Sequence, residues 1–248
     1  MRLIDAIALR LAKLASNVPR AGPTVVRHIG NLLPGLRCYP IQTRYGRVYC
    51  DLRESVCFEL LRRGEYRRWR ADEEGIARIP LTHESVVIDV GANIGVTVRL
   101  FAKRAAWVHA FEPAPRAIAL LRANTADLNN VTVHECALSN ERGVVSFDER
   151  PQLDFSSISD TGIDVQAMTI DSLGLEPDFI KIDVEGYEHL VLEGATETLR
   201  NHAPVILFEA LNETARQYCE NIIRNANPNY RIESIGQKSN HIAWPSGN

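Results

Sequence analysis

The chain has 248 residues, 45% hydrophobic and 24% charged, with 15 Gly, 12 Pro and a formal net charge of -3. That usage belongs to a globular protein and excludes a collagen-like, coiled-coil or largely disordered chain. No run of about 18 apolar residues is present, so no membrane-spanning helix is predicted. Cys38, Cys50, Cys57, Cys136 and Cys219 contain no CxxC pair. They predict reduced thiols in a cytoplasmic protein rather than a zinc site or a disulfide framework. Asp5, Arg10 and Lys13 break any apolar signal core near the start of the sequence. Charge is unevenly spread: residues 1–70 hold 14 Lys+Arg and 5 Asp+Glu, a balance of +9, and the remainder holds 14 and 26, a balance of -12. Such a basic part suits contact with an anionic surface, and it equally suits a solvated Arg-rich helix face.

Leu3, Ile7, Leu11 and Leu14 follow at steps of four, four and three and predict one apolar helix stripe over 3–14. Pro19, Pro23, Pro34 and Pro40 punctuate a connector. Residues 41–52 read as a hairpin turning at Tyr45-Gly46, and Ser55 is placed to cap a short helix that Gly64 ends. Arg62, Arg63, Arg67, Arg68 and Arg70 crowd around Tyr66 and Trp69. Arg beside aromatics binds phosphate or nucleic acid, and a surface helix end explains the cluster as well. From about residue 84 strands alternate with helices. Strands are predicted at 86–90, 108–111, 131–135, 144–147, 165–170, 179–183 and 205–208. Helices are predicted at 94–103, 115–128, 187–200 and 213–225, before a closing hairpin from 230–235 and 241–244. The alternation predicts an α/β fold, a mostly parallel sheet with helices on both faces, over residues 81–248. Residues 1–80 form an N-terminal helical and hairpin extension, read as a cap or a dimer contact.

Chemistry is most legible in Val87-Ile88-Asp89-Val90-Gly91-Ala92-Asn93-Ile94-Gly95. An apolar strand runs through a glycine-rich turn into a helix, the usual ligand crevice of a doubly wound sheet. A dinucleotide fingerprint requires GxGxxG, and Asn93 stands where its second glycine would fall. Asp89 would repel phosphates and suits a cationic ligand such as an amino group. Glu112 lies 21 residues after Gly91, near the offset of a ribose-binding acid. The third strand ends in Glu135-Cys136-Ala137-Leu138-Ser139, near the expected place of an adenine. Asp89, Gly91, Ala92, Asn93, Gly95, Glu112, Pro113, Cys136, Ala137 and Leu138 are therefore the candidate cofactor-binding residues. Simple burial is the plain alternative for Cys136.

Taken with Phe111-Glu112-Pro113, Ala137-Leu138-Ser139, Thr169-Ile170-Asp171-Ser172-Leu173 and Lys181-Ile182-Asp183-Val184-Glu185-Gly186-Tyr187-Glu188, the Asp89–Gly95 stretch resembles the FkbM-type family of class I methyltransferases. The resemblance covers about residues 40–210. It implies S-adenosylmethionine as cofactor and a seven-stranded Rossmann-like sheet with an antiparallel last strand. It also implies methyl transfer, usually to oxygen on a sugar or small metabolite. Where members often carry an acid after a Gly-x-Tyr, this chain has Tyr66-Arg67-Arg68.

A hydroxyl acceptor needs a base close to the methyl group. Asp183 and Glu185 follow the fourth strand and Glu209 ends the fifth. His189, four residues after Glu185, would share its face on a helix. Asp183 is the first candidate for base or metal ligand, then Glu185, then Glu209, with His189 beside them. Glu185 also reads as a helix N-cap, and His189 as a packing residue. The resemblance does not itself imply a divalent metal; Asp183 and Glu209 are the ligands if one binds. Lys181, inside a strand that should be buried, calls for an acidic partner. Hydroxyls in the loop 154–159 are placed near the same edge. The expected partner is a small-molecule or saccharide acceptor, with peripheral contact to an anionic surface through residues 1–70 and a homodimer left open. Two other readings remain, a nucleic-acid methyltransferase and a non-catalytic S-adenosylmethionine-binding protein. The acidic body and the lack of an Asn-Pro-Pro-Tyr-type tetrapeptide weigh against the first.

Overall fold

The structure, a computed structural model, describes residues 3–18, 21–65, 75–149, 157–158, 161–235 and 239–246. Its N-terminal part comprises α1 (Leu3–Ala15), α2 (Gly22–Leu32), a 3-10 turn (Pro34–Leu36), the hairpin β1 (Tyr39–Thr43) and β2 (Gly46–Cys50), and α3 (Ser55–Arg63). The hairpin turns where the sequence predicts. The Thr43 hydroxyl donates to Gly46 O at 2.8 Å and accepts from Tyr45 N at 3.1 Å. Gly64 ends α3 in the left-handed region, with φ 71, where a Cβ would be strained. Ser55 is the first helical residue of α3 rather than its cap; Glu54 holds the cap position without a side-chain cap bond.

The predicted stripe of α1 does not turn inward. Ala8 and Ala12 are buried with Val26 and Leu36, while Ile7, Leu11 and Leu14 are exposed. Periodicity showed an amphipathic helix but not which face the rest of the chain would cover. The core containing Ala8 and Ala12 continues into Ile94, Val96, Ala117 and Leu120 of the following α/β part, so the extension packs onto it directly. Asn124 stitches the two: its Oδ1 accepts from Tyr49 N at 2.6 Å, and its Nδ2 donates to Tyr49 O and Ile94 O at 2.9 and 2.8 Å.

The main sheet uses β3 (Val86–Val90), β4 (Trp107–Phe111), β5 (Val131–His134), β10 (Phe179–Ile182), β11 (Val205–Glu209), β12 (Tyr230–Ile235) and β13 (Asn240–Pro245). Its order is β12-β13-β11-β10-β3-β4-β5. The pairs β11-β10, β10-β3, β3-β4 and β4-β5 are parallel, and β13 is antiparallel to both its neighbours. Strands covered on both faces need nearly continuous apolar runs, and Phe179-Ile180-Lys181-Ile182 and Val86-Val87-Ile88-Asp89-Val90 are such runs with one charge each. Successive residues point to opposite faces. Ile88, Ile180, Ile182 and Phe208 meet α6 (Glu188–Glu193), α7 (Thr196–Asn201) and α8 (Glu213–Ala226) through Val191, Leu199 and Ile223. Val87, Phe179 and Leu207 meet α4 (Val96–Phe101) and α5 (Pro115–Thr125) through Val98, Phe101 and Leu121.

Two differences from the sequence reading matter. The strands predicted at 144–147 and 165–170 do not join the main sheet. They become β7 (Gly143–Asp148) and β9 (Ile163–Met168) of a second sheet, ordered β6-β9-β7-β8 with β6 (Ala137–Leu138) and β8 (Ser157–Ile158). The single helix predicted over 187–200 is two, broken at Gly194. A Cβ there would lie 2.0 Å from Ser139 O, so close tertiary approach divides a segment whose local pattern is continuous. Asp171 accepts from Glu197 N and Thr198 N at 3.0 and 2.8 Å and anchors the start of α7.

Candidate active site

One cavity opens at the carboxyl ends of β3, β4, β10 and β11, about 1450 Å³ counting its solvent-filled mouth. Its first wall is the turn after β3. Gly91 has φ 75, and a Cβ there would lie 1.9 Å from Asp183 O. Glycine is therefore required for the turn to seat against the end of β10, before any ligand is considered. Gly95, with φ 86, would drive a Cβ to 2.7 Å from Leu121 Cδ1. It packs on α5 and does not line the cavity. Asn93 lines the cavity with φ 49, a conformation asparagine tolerates better than most residues.

Glu112, just past β4, is buried and accepts Asn93 N at 2.8 Å and Ala114 N at 2.9 Å. These bonds lash the ends of the first two parallel strands together. Burial pushes the Glu112 carboxyl up to about 7; the two N–H donors and the charge of Lys181 pull the other way. Pro113, Cys136, Ala137 and Leu138 continue this wall, with Ala92 beside Gly91. Burial raises the Cys136 thiol above its ordinary value.

Asp89 departs from its expected place. It is fully buried, faces the α4 side of the sheet and does not line the cavity. Thr97 Oγ1 donates to its Oδ2 at 2.5 Å, and Lys181 Nζ lies 3.2 Å from its Oδ1. Asp89 and Lys181 stand directly opposite in the β3-β10 register, so the charged interruptions of two apolar strands answer one another. Lys181 Nζ also reaches Asp183 Oδ2 and Gly91 O, each at 3.3 Å. Burial acts to lower the Lys181 ammonium, but the charges of Asp89 and Asp183 outweigh it and hold the group above its ordinary range. A protonated lysine thus ties the turn after β3 to the acid after β10.

Asp183, Glu185 and Glu209 all line the cavity. Each offers one carboxylate oxygen, and these lie within 4.8 Å of one another, close enough to hold one cation. Glu185 has φ 54, an uncommon conformation for a residue with a long side chain. The buried Glu188 carboxylate holds that conformation by accepting Val184 N and Gly186 N, both at 3.1 Å. Burial raises the Glu188 carboxyl above its ordinary value. His189 is not brought into this group. Glu185 lies before the helix, which begins at Glu188, so the four-residue spacing does not put the two on one face. The His189 ring packs instead between Tyr187 and Tyr218, with centroids 6.3 and 5.4 Å away.

Sequence reading missed Val56, Phe147, Ile158, Tyr187 and Asn240 on the cavity wall. Val56 comes from the extension, Phe147 and Ile158 from the second sheet, and Asn240 pairs with Glu209 in register. Tyr187 and Ile158 sat inside stretches that had been singled out, without a role of their own. Of the loop 154–159, Ser157 and Ile158 line the cavity; the rest lies outside the described residues. So do Tyr66, Arg67, Arg68, Trp69 and Arg70.

Comparison with known proteins accords with this geometry. The family described as the methyltransferase FkbM domain matches residues 89–227. The 2-O-methyltransferase NoeI of Sinorhizobium fredii is 30% identical over 144 residues, 47% of this chain and 59% of that protein. The 31-O-demethyl-FK506 methyltransferase FkbM of Streptomyces tacrolimicus is 49% identical over 71 residues, 27% of this chain and 26% of that protein. A solved methyltransferase FkbM from Methylobacillus flagellatus shares the fold with a TM-score of 0.55 at 16% identity, over 97% of this chain and 59% of that one. The matches thus span less than two thirds of the length of each of these relatives.

Proposed function

We propose, from the premise that this chain belongs to the FkbM methyltransferase family, that it uses S-adenosylmethionine to methylate a hydroxyl oxygen of a saccharide or small metabolite. The observation that carries the reading is the sign of the charge around the cavity. Glu112, Asp183, Glu185 and Glu209 line it, and among the described residues the one lysine on its wall, Lys181, is already committed to Asp89 and Asp183. A pyrophosphate would meet these carboxylates as like charge; a sulfonium carrying an amino group meets them as complementary charge. The names of NoeI and of FkbM from Streptomyces tacrolimicus refer to oxygen methylation, which supports the choice of acceptor atom.

The bound donor supplies an activated methyl group. Glu112 accepts the ribose hydroxyls, while the Gly91–Asn93 turn and the Cys136–Leu138 segment border the rest of the nucleoside. Asp89 acts from beneath, through Lys181. Asp183 accepts the proton of the acceptor hydroxyl as that oxygen attacks, a general-base role. Glu185 and Glu209 orient the acceptor; with Asp183 they would also hold a divalent cation, whose charge would favour the developing alkoxide. Val56, Phe147 and Ile158 make residues 1–80 and the second sheet a cap that excludes water and selects the acceptor.

The test is transfer of labelled methyl groups from S-adenosylmethionine to glycan and small-metabolite pools, with and without a chelator. Asp183→Asn is expected to slow turnover roughly 10²-fold, the loss of a positioned base, while affinity for S-adenosylhomocysteine stays within about threefold. Unchanged turnover would remove Asp183 from that role. Uptake of a nicotinamide or flavin dinucleotide in preference to S-adenosyl ligands would overturn the assignment of the cavity.

A further inference from the structure

We propose that α1 is an in-plane anchor that seats this protein on an anionic lipid surface. Ile4, Ile7, Leu11, Leu14 and Val18 follow at steps of three, four, three and four and stay 49 to 70% exposed. A neighbouring face, through Ala8 and Ala12, is buried against the body. The helix has thus docked by Ala8 and Ala12, with Leu9 partly buried beside them, and turned Ile4, Ile7, Leu11 and Leu14 outward. Single exposed apolar residues are ordinary, but a row of four on one helix, continued by Val18 just past its end, marks a docking face.

Charge identifies the occupant. Residues 1–40 contain six Lys+Arg and one acid, Asp5, a balance of +5; the other 208 residues carry the difference from -3, which is -8. Arg10 and Lys13 are exposed on the same helix as the stripe. A second copy would bring like charge against like charge. It would also have only five large side chains per partner, against the roughly 20–30 residues a side of a stable protein interface. An anionic bilayer accepts both features, burying the apolar row among its acyl chains while its headgroups neutralise Arg10 and Lys13. The acidic remainder of the chain is repelled by the same surface, which turns α1 toward it. Among the described residues no helix is long and apolar enough to cross a membrane, so α1 lies on the surface instead of spanning it. A methyltransferase held there would meet acceptors that are themselves lipid-linked or surface-bound.

The experiment is co-sedimentation of the full chain with vesicles of phosphatidylcholine alone and with vesicles in which roughly a third of the lipid is phosphatidylserine. Binding to the anionic vesicles is expected to be about tenfold stronger or more, and to weaken with salt. Leu11→Glu should abolish it, and Arg10→Glu with Lys13→Glu should weaken it about tenfold. Both variants should keep wild-type affinity for S-adenosylhomocysteine, which shows that the fold is intact. Equal binding to the two vesicle types, or binding to neither, would overturn the proposal. So would a dimer, seen by sedimentation velocity, that Leu11→Glu dissolves while vesicles are ignored.

Discussion

The two sides of the cavity are assembled differently. On one side, Gly91, Ala92, Asn93, Glu112 and Pro113 come from consecutive strand–turn units and are fixed by main-chain bonds, Asn93 N and Ala114 N to the Glu112 carboxylate. On the other, Asp183, Glu185 and Glu209 come from the ends of β10 and β11. They depend on buried charges that do not belong to the cluster itself, Lys181 beneath Asp183 and Glu188 behind Glu185. The first side should tolerate loss of a side chain with a local loss of affinity. The second should respond through the whole sheet, because removing one member of a buried ion pair leaves the other charge uncompensated.

The largest effect is therefore expected at a residue in the floor. Lys181→Met should lower stability by about 3–5 kcal/mol, the cost of stranding a buried charge, read as a fall in chemical denaturation midpoint. Combining it with Asp89→Asn should recover much of that loss. Wild-type stability for Lys181→Met would mean that the Asp89–Lys181 pairing does not hold the two sides together.

A smaller effect is expected at Glu112. Its carboxyl is raised to about 7 by burial, and the ribose hydroxyls call for the ionised form. Affinity for S-adenosylhomocysteine should be full above about pH 7 and fall as pH drops below it, at most about tenfold per unit. The linkage to folding has the opposite sign. The folded, ligand-free state binds this proton more tightly than the unfolded chain, so its contribution is present at low pH. That contribution is lost as pH rises from the ordinary carboxylate value through about 7. Calorimetry across that range should show the affinity slope in wild type and its flattening in Glu112→Gln. A wild-type slope that survives the substitution assigns the titration to another group.

The smallest expected effect lies in the backbone. Glu185→Gly removes a side chain from a left-handed position and should leave stability unchanged or raise it by up to about 1 kcal/mol. Turnover should fall in the same variant. A clear loss of stability would show that contacts of the Glu185 side chain outweigh its backbone strain.

How far the sequence could be read follows the same division. The Asp89–Gly95 turn, Glu112, and the acids Asp183, Glu185 and Glu209 were legible because each stands at the end of an apolar strand, and parallel strands bring their carboxyl ends to one edge. His189 was misplaced because the four-residue rule presumes a helix that starts only at Glu188. Asp89 was taken for a ligand contact because no local pattern tells an acid facing a cavity from one facing a helix layer. Gly91 was read as a cofactor-binding residue from its place in the turn; that a Cβ there would also meet the Asp183 carbonyl carried no local signal.

What the sequence alone determined is the strand–helix alternation and the edge on which chemistry gathers, both set by short-range periodicity and turn chemistry. Tertiary structure decided the rest. It paired Lys181 with Asp89, split the 187–200 helix at Gly194, drew β6, β7 and β9 into a second sheet and turned Ile7, Leu11 and Leu14 of α1 outward. The physical reason is common to all four. Which face of an element is covered, and which charge lies opposite, depends on segments far away in the chain, and local spacing carries no information about them.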